Sequence, residues 1–498
     1  MKLKVKNLAI GTGNPMIALI NYIDAEKCDL HFSDRIKIIK NRKEVTATVD
    51  ITNSSEIIEP GEIGLFEEAY REINAKDDDI VRVCIDNPPA SLSFIRKKLR
   101  GKRLNYEETR AIVDDIINNK LTDIELSYYV ASTYMAEMTT EEIVHLTRAI
   151  VNTGQRLKLK DKIIVDKHCI GGVAANRTTM LIVPIVAAAG ITIPKTSSRA
   201  ITSASGTADT VEVLANVVIS KEKMQSIVSK TGGCFVWGGA VNLAPADDKI
   251  IKVERPLSLD PVGQLVASIL AKKKSASATH VLIDIPIGRG SKTESKKKAL
   301  VLKRRFENVS KRVGMKVKVI ITNGTQPIGN GIGPALEARD VLWTLQNSKL
   351  SANDLKEKSI MMAGEIFDLI GKTKKGQGKK LAKEILESGR AYLKFIEILK
   401  AQGEKVVFPE QIEIGKYSAA VAAAKRGKIM HIDNKRINKI ARVAGCPVDH
   451  GAGVYLNVKK GSHVKKSEIL YWIYSNSKEK LKYAKQTAEC KSPIIIKS

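Results

Sequence analysis

Lys167, the pair Gly171-Gly172, and the hydroxyls Ser197, Ser198, Ser203 and Thr207 with Arg199 among them are the residues whose types and spacing first suggest chemistry. Backbone N–H groups at a helix start have no partner within the helix, so a turn without Cβ atoms lets an anion approach them closely. Lys167 adds a compact charge and Arg199 a planar fork of donors. Gly and Ser alone would only make loops. Their tandem occurrence, with a Lys and an Arg in place, points to one phosphate gripped from two sides or to two phosphates on one ligand.

The elements that must position these groups are short and apolar. IIVDKH reads as a strand that breaks at Gly171, and TTMLIVPIVAAAG as a buried helix after it. ITIPK reads as a second strand leading into TSSRAITSASGT, and Thr207 opens a further helix, ADTVEVLAN. Downstream, ERPLSLDPVGQLVASILAKKK supplies a turn at Asp260-Pro261 and a helix on which Ser268 and Lys272 fall four apart, on one face, where they could hydrogen-bond the edge of a flat polar ring. GRGSKTES, with Arg289 and Lys292, reads as a loop between strands. The glycines 329, 331 and 333 match neither a dinucleotide nor a P-loop spacing, and turns account for them.

A chain of 498 residues should form several domains with ample core. Residues 1–86 alternate apolar and polar residues between Gly and Pro, which predicts a small β-rich domain with one or two short helices. The period then turns helical, with start signals at Asn105 with Glu108, Thr122 with Glu125 and Thr139 with Glu142. The expected fold is multidomain α/β: a helical domain from 87–160 and 246–276, and an α/β domain with a mixed sheet from 161–245 and 277–404. A small β-rich N-terminal domain and an α+β C-terminal domain, 405–498, flank them.

Several function classes are disfavoured. The six cysteines contain no C-x-x-C pair and the seven histidines no ligand spacing, so no metal and no cofactor are expected. No signal peptide and no bilayer-length apolar run are visible, which predicts a cytoplasmic protein without membrane contact. Lys plus Arg exceeds Asp plus Glu by 28, a balance that would attract nucleic acid or small polyanions. The clusters, KKLRGKR and the KKK runs at 272–274 and 296–298 among them, are not interleaved with aromatics and read as solvated surface, which makes nucleic acid an unlikely partner.

KHCIGGV, SSRAITSASGT, SILAKK, TNGTQPIGNGIGPALEA and the hairpin-rich tail follow one another in an order that resembles the thymidine/pyrimidine-nucleoside phosphorylase family, over about residues 90–490. With its β-rich leader, the chain is similar to the archaeal, nucleotide-cleaving branch. That resemblance implies a pentosyltransferase that converts AMP and inorganic phosphate to adenine and ribose 1,5-bisphosphate, with CMP and UMP as further substrates, in a homodimer or larger homo-oligomer. It further implies that Lys167, Gly171, Gly172, Thr178, Ser197 and Thr207 bind the attacking phosphate. The nucleotide would meet Gly172, Ser198, Arg199, Ala200, Ile201, Thr202, Ser203, Thr207, Ser268, Lys272 and Lys292, with Arg199, Ser203 and Lys292 at its 5′-phosphate. Cys169 stands where the nucleoside enzymes have a phosphate-binding Ser, and Val253 where they have a base-binding Arg; both departures count against thymidine.

The leaving base needs a proton. Asp260 and His168 are the candidates: Asp260 sits at the turn before the base-facing helix, where partial burial would raise its pKa, and it is favoured because a purine leaving group needs a donor on the base side. Three other readings compete: an ordinary pyrimidine-nucleoside phosphorylase, a phosphoribosyltransferase of related fold, and a nucleic-acid-binding protein.

Overall fold

A computed structural model describes the chain except Asn14, Ile201, Thr202, Ser258 and Ser498. It divides into two compact units, Met1–Thr153 with Ala244–Ser268, and Gly154–Leu243 with Ile269–Ser498.

In the first unit, six strands between Lys2 and Ile85 close into a barrel in the order first, fifth, second, fourth, third, sixth. The first and fifth strands pair in parallel, as do the second and fourth. Alternation along the strands turns Leu3, Val5, Ala18, Ile20, Ile36, Ile38, Ile63, Val81 and Val83 into the core, and closure leaves no strand edge to be covered. Helices Ser91–Leu99, Tyr106–Ile117, Asp123–Met135, Thr140–Thr153 and Pro245–Leu257 belong to the unit, and the helix Val262–Ser275 begins in it, the unit boundary falling after Ser268. Asn105 with Glu108 and Thr122 with Glu125 form reciprocal capping boxes, and Thr139 with Glu142 exchanges the same two bonds. Glu142 also accepts from Lys98 Nζ at 2.7 Å in a buried ion pair.

In the second unit, Lys316–Asn323, His280–Ile287 and Val165–Cys169 form a parallel three-stranded sheet. Ile193–Ser197 and Gly233–Trp237 form a parallel pair, and the parallel bridge Ile164–Thr192 sets this pair beside the strand Val165–Cys169. The C-terminal ends of these strands therefore lie along one sheet edge, the usual ligand edge of parallel α/β sheets. Behind them the helix Thr178–Ala188, buried nearly all round, packs with Asn353–Leu369 and Arg390–Ala401 into a core that includes Met180, Leu181, Ile185, Phe367 and Phe395. Antiparallel pairing enters where Gly331–Ile332 joins Gly453–Leu456 of the C-terminal portion. That portion also pairs Tyr417–Ala422 with Ile469–Ser475 and carries the helices Asn434–Ala444 and Lys478–Cys490. No helix among the described residues is long and apolar enough to cross a membrane.

Candidate active site

The strand Val165–Cys169 points successive side chains to opposite faces of the sheet, and the two faces carry different chemistry. On one face Lys167 is buried, and its Nζ donates to Thr178 Oγ1 at 2.9 Å and Thr179 Oγ1 at 3.3 Å, at the start of the buried helix. Burial lowers its pKa, an effect that the nearby Asp284 carboxylate counteracts. Asp284 is itself fully buried, 2.9 Å from Lys358 Nζ. Burial alone would raise its pKa, but Lys358, Lys167 and the Thr322 hydroxyl hold it below the ordinary range. Cys169 faces the same cluster, and Asn176 Nδ2 donates to its sulfur at 3.3 Å. Burial and the Asp284 charge push its thiol pKa up, so it is a neutral group here and not an activated nucleophile.

On the other face Asp166 is buried between two cations, 3.1 Å from Lys195 Nζ and 2.7 Å from Lys273 Nζ. Lys195 Nζ also donates to the Lys167 carbonyl at 2.6 Å, which ties the two strands together below the site. Burial would raise the Asp166 pKa, yet the two ammonium groups hold it down. His168 lies on this face. Although part of it remains exposed, desolvation and then the charges of Lys273, Lys195, Lys167 and Lys272 hold its pKa well below the ordinary 6.5. It is a neutral imidazole at physiological pH.

The first loop leaves the strand through Gly171 and Gly172, both left-handed, at φ +97° and +87°. A Cβ on Gly172 would lie 2.3 Å from the backbone nitrogen of Lys292, so the loop that carries Lys292 packs directly on this turn and only glycine fits. Lys292 itself is exposed.

The second loop starts at Ser197, whose Oγ is buried and has no hydrogen-bond partner among the described residues. A buried hydroxyl in that state fits an acceptor oxygen supplied by a ligand. Ser198 is exposed, and Ser203 Oγ donates to the Ser205 carbonyl at 2.7 Å. Asp209 shapes the loop: its Oδ2 accepts from Ala200 N at 2.7 Å and Gly206 N at 2.8 Å. Arg199 spans Asp209 and Glu212, with Nη2 to Glu212 Oε1 at 2.7 Å, and stacks 5.1 Å from the Trp237 ring centroid. Its fork is thus engaged with two carboxylates of the short helix Thr207–Glu212. Thr207 Oγ1 accepts from Arg177 Nη1 at 3.1 Å, while Arg177 Nη2 donates to the Ser205 carbonyl at 2.6 Å and Nε pairs with buried Glu337. Arg177 therefore links the end of the first loop to the second. The expected positions Ile201 and Thr202 lie outside the described residues.

In the first unit, Ser268 Oγ donates to Asp247 Oδ2 at 2.8 Å, which fixes the hydroxyl on its helix. Asp260 precedes that helix and is exposed, a correction to the partial burial expected of it. Lys272 lies just past the unit boundary and belongs with the cations around His168.

Sequence reading passed over Asp166, Lys195, Lys273, Asp284, Lys358, Arg177, Asp209 and Glu337, although the first two stood inside the strands it identified. Lys273 is a correction: it was expected on a solvated surface with its KKK run, but it is buried because it continues the apolar stripe Val266, Ile269, Leu270 at i, i+3, i+4, i+7. That spacing was the available signal.

Three family models match the chain. They are the "Glycosyl transferase family, a/b domain" over residues 161–392, the "Glycosyl transferase family, helical bundle domain" over 92–154, and the "Pyrimidine nucleoside phosphorylase C-terminal domain" over 428–494. Among similar proteins, the AMP phosphorylase of Pyrococcus furiosus is 45% identical and covers 100% of this chain and 98% of its own. The AMP phosphorylase of Methanococcus aeolicus is 45% identical over 96% of this chain and 94% of its own. A putative thymidine phosphorylase of Legionella pneumophila is 42% identical over 99% of this chain and 95% of its own. The solved anthranilate phosphoribosyltransferase of Thermus thermophilus is similar at a TM-score of 0.53 and 19% identity, over 62% of this chain and 98% of that one. At that identity it speaks for the fold alone.

Proposed function

The chain belongs to the family of the AMP phosphorylases and thymidine phosphorylases, and on that premise we propose that it cleaves AMP with inorganic phosphate. The products are adenine and ribose 1,5-bisphosphate, and CMP and UMP are further substrates. The N-terminal barrel does not discriminate within the family, since the Legionella relative covers it too. The observation that carries the nucleotide reading over the nucleoside reading is the seating of Ser291 and Lys292 on Gly172. It brings the loop of an exposed cation against the anion turn, so that two anionic groups can be met at one sheet edge.

Chemically, the bond from C1′ of ribose to the base nitrogen breaks as a bond from C1′ to a phosphate oxygen forms on the opposite face. The sugar gains oxocarbenium character between the two events. In this reading the hydroxyls of Ser197, Thr178 and Thr207 and the glycine turn hold the attacking phosphate, with Lys167 supplying charge beneath it. Lys292 and the Ser198–Ser203 loop meet the 5′-phosphate, Arg199 acting through its ties to Asp209 and Glu212 as the loop's internal brace. Ser268 and Lys272 face the base. Of the two candidate donors to the leaving base, His168 is held neutral and Asp260 is exposed, without the burial that would fit it to the role; phosphorolysis by Asp260→Asn and His168→Gln decides between them. The same reading carries a homodimer or larger homo-oligomer in the cytoplasm.

The test is chromatographic measurement of free base released from AMP, CMP, UMP, adenosine, uridine and thymidine, each with and without phosphate. Phosphate-dependent release from the monophosphates is expected. Release from thymidine or uridine alone would replace the proposal with nucleoside phosphorolysis, and release from none would return nucleic acid binding to the front.

A further inference from the structure

The C-terminal portion of the chain touches both anion loops, and it does so through two asparagines on one helix. The helix Asn434–Ala444 begins after Asp433, whose side chain accepts from Lys435 N at 2.9 Å and Arg436 N at 3.1 Å and so fixes where the first turn starts. Asn434 and Asn438 are four residues apart and share a face of that helix. Asn434 is fully buried: its Oδ1 accepts from Ala174 N at 3.0 Å in the first loop, and its Nδ2 donates to the Gly324 carbonyl at 3.0 Å. Asn438, 8% exposed, accepts from Ala204 N at 3.0 Å in the second loop. The paired residues are 260 and 234 positions apart in the chain, so neither bond is a by-product of local turn geometry.

Packing makes the same connection independently. Ala174, Ala175 and Ala204 of the two loops are buried in the hydrophobic cluster of the C-terminal portion, together with Ile437, Ile440 and Ala441 from that same helix. Ala175 holds φ +55°, a left-handed conformation that a residue with a Cβ keeps only when its surroundings over-determine it. Loops built from small residues and glycine are otherwise the most deformable parts of a fold.

We propose that Asn434 and Asn438 are positioning residues for the reaction. One helix of the C-terminal portion sets the first loop for inorganic phosphate through Asn434 and the second loop for the nucleotide through Asn438. The C-terminal portion is then part of the anion site's frame as well as a structural appendage. The proposal rests on the functional reading above for the assignment of a ligand to each loop. It does not rest on that reading for the contacts.

The experiment uses the full chain with Asn434→Ala, Asn434→Asp, Asn438→Ala and Asn438→Asp. Steady-state kinetics with AMP and phosphate are measured alongside calorimetric binding of inorganic phosphate and thermal unfolding. Asn438→Ala should raise the KM for AMP about tenfold and leave the KM for phosphate within about twofold, because a small displacement of one loop acts on its own ligand. Asn438→Asp retains the acceptor and should restore the wild-type KM. Asn434→Ala should raise the KM and the Kd for phosphate about tenfold. Asn434→Asp should not rescue it, since the second carboxylate oxygen would face the Gly324 carbonyl. A lower kcat or a lower unfolding temperature with both KM values unchanged would overturn the proposal, because that is what loss of folded enzyme alone produces. If the wild type releases no adenine, the functional reading fails. The Kd for phosphate of wild type against Asn434→Ala then decides the inference, weaker binding supporting it and equal binding overturning it. Should Asn434→Ala not fold, the Asn438 pair and Asn434→Asp carry the same decision.

Discussion

Lys273 Nζ lies 2.7 Å from the buried carboxylate of Asp166, one residue before Lys167 on the strand that enters the site. With Lys195 on its other oxygen, Asp166 is a buried anion between two buried cations. Removing one member of such a group leaves charge uncompensated in a medium that solvates it poorly. Asp166→Asn should therefore destabilise the chain by about 3 kcal/mol or more, since both lysines lose their counter-charge at once. Lys273→Met, which leaves Lys195 in place, should cost less. Urea midpoints of the two variants against wild type check the order. A smaller loss for Asp166→Asn than for Lys273→Met would contradict it.

Features encoded within a few residues were legible in the sequence, and those made by distant partners were not. Asn105, Thr122 and Thr139 announce helix starts because each cap is completed by the Glu three residues later. Lys167, Ser197 and Thr207 stood out because strand, turn and helix lie in sequence around them. Asp284 and Glu337 did not, since the partners that give them meaning, Lys358 and Arg177, are far off in the chain. The barrel's strands follow from alternation, but its parallel pairings depend on closure, which no local pattern records. Arg199 shows the opposite failure: a cation in an anion loop suggests a ligand, yet its fork is engaged by Asp209 and Glu212.

His168 sets a pH dependence whose sign can be worked out. Its pKa in the folded chain lies well below the ordinary 6.5, through desolvation and then the surrounding lysines. Below the unfolded-state value, the unfolded chain binds a proton that the native chain refuses, so this residue's contribution makes stability fall as pH drops. His168→Gln should flatten that contribution. Denaturant midpoints between about pH 7 and pH 5 should decline less steeply in the variant than in wild type, and an equal slope would mean that His168 takes up its proton normally.

Asp209 joins three groups of the second loop, Ala200 N, Gly206 N and Arg199. Asp209→Ala should release the loop and raise the KM for AMP by about tenfold or more, with a smaller change in the KM for phosphate. Asp209→Asn keeps one acceptor oxygen and should fall between the two. Kinetics with each substrate varied in turn provide the check, and equal changes in both KM values would mean that the loop serves the whole site and not the nucleotide.

Ser197 separates stability from binding. Its Oγ is buried without a partner among the described residues, so the folded chain bears the cost of a desolvated hydroxyl. Ser197→Ala removes that cost and should leave the unfolding midpoint unchanged or slightly higher. A hydrogen bond to a charged acceptor contributes about 1.5–3 kcal/mol, so the same variant should raise the Kd for inorganic phosphate roughly 10- to 100-fold. Calorimetric titration with phosphate and urea unfolding, run on one preparation, measure both quantities. Weaker binding at equal or higher stability is the signature of a hydroxyl kept for a ligand. A loss of stability with unchanged phosphate binding would assign Ser197 to the fold instead.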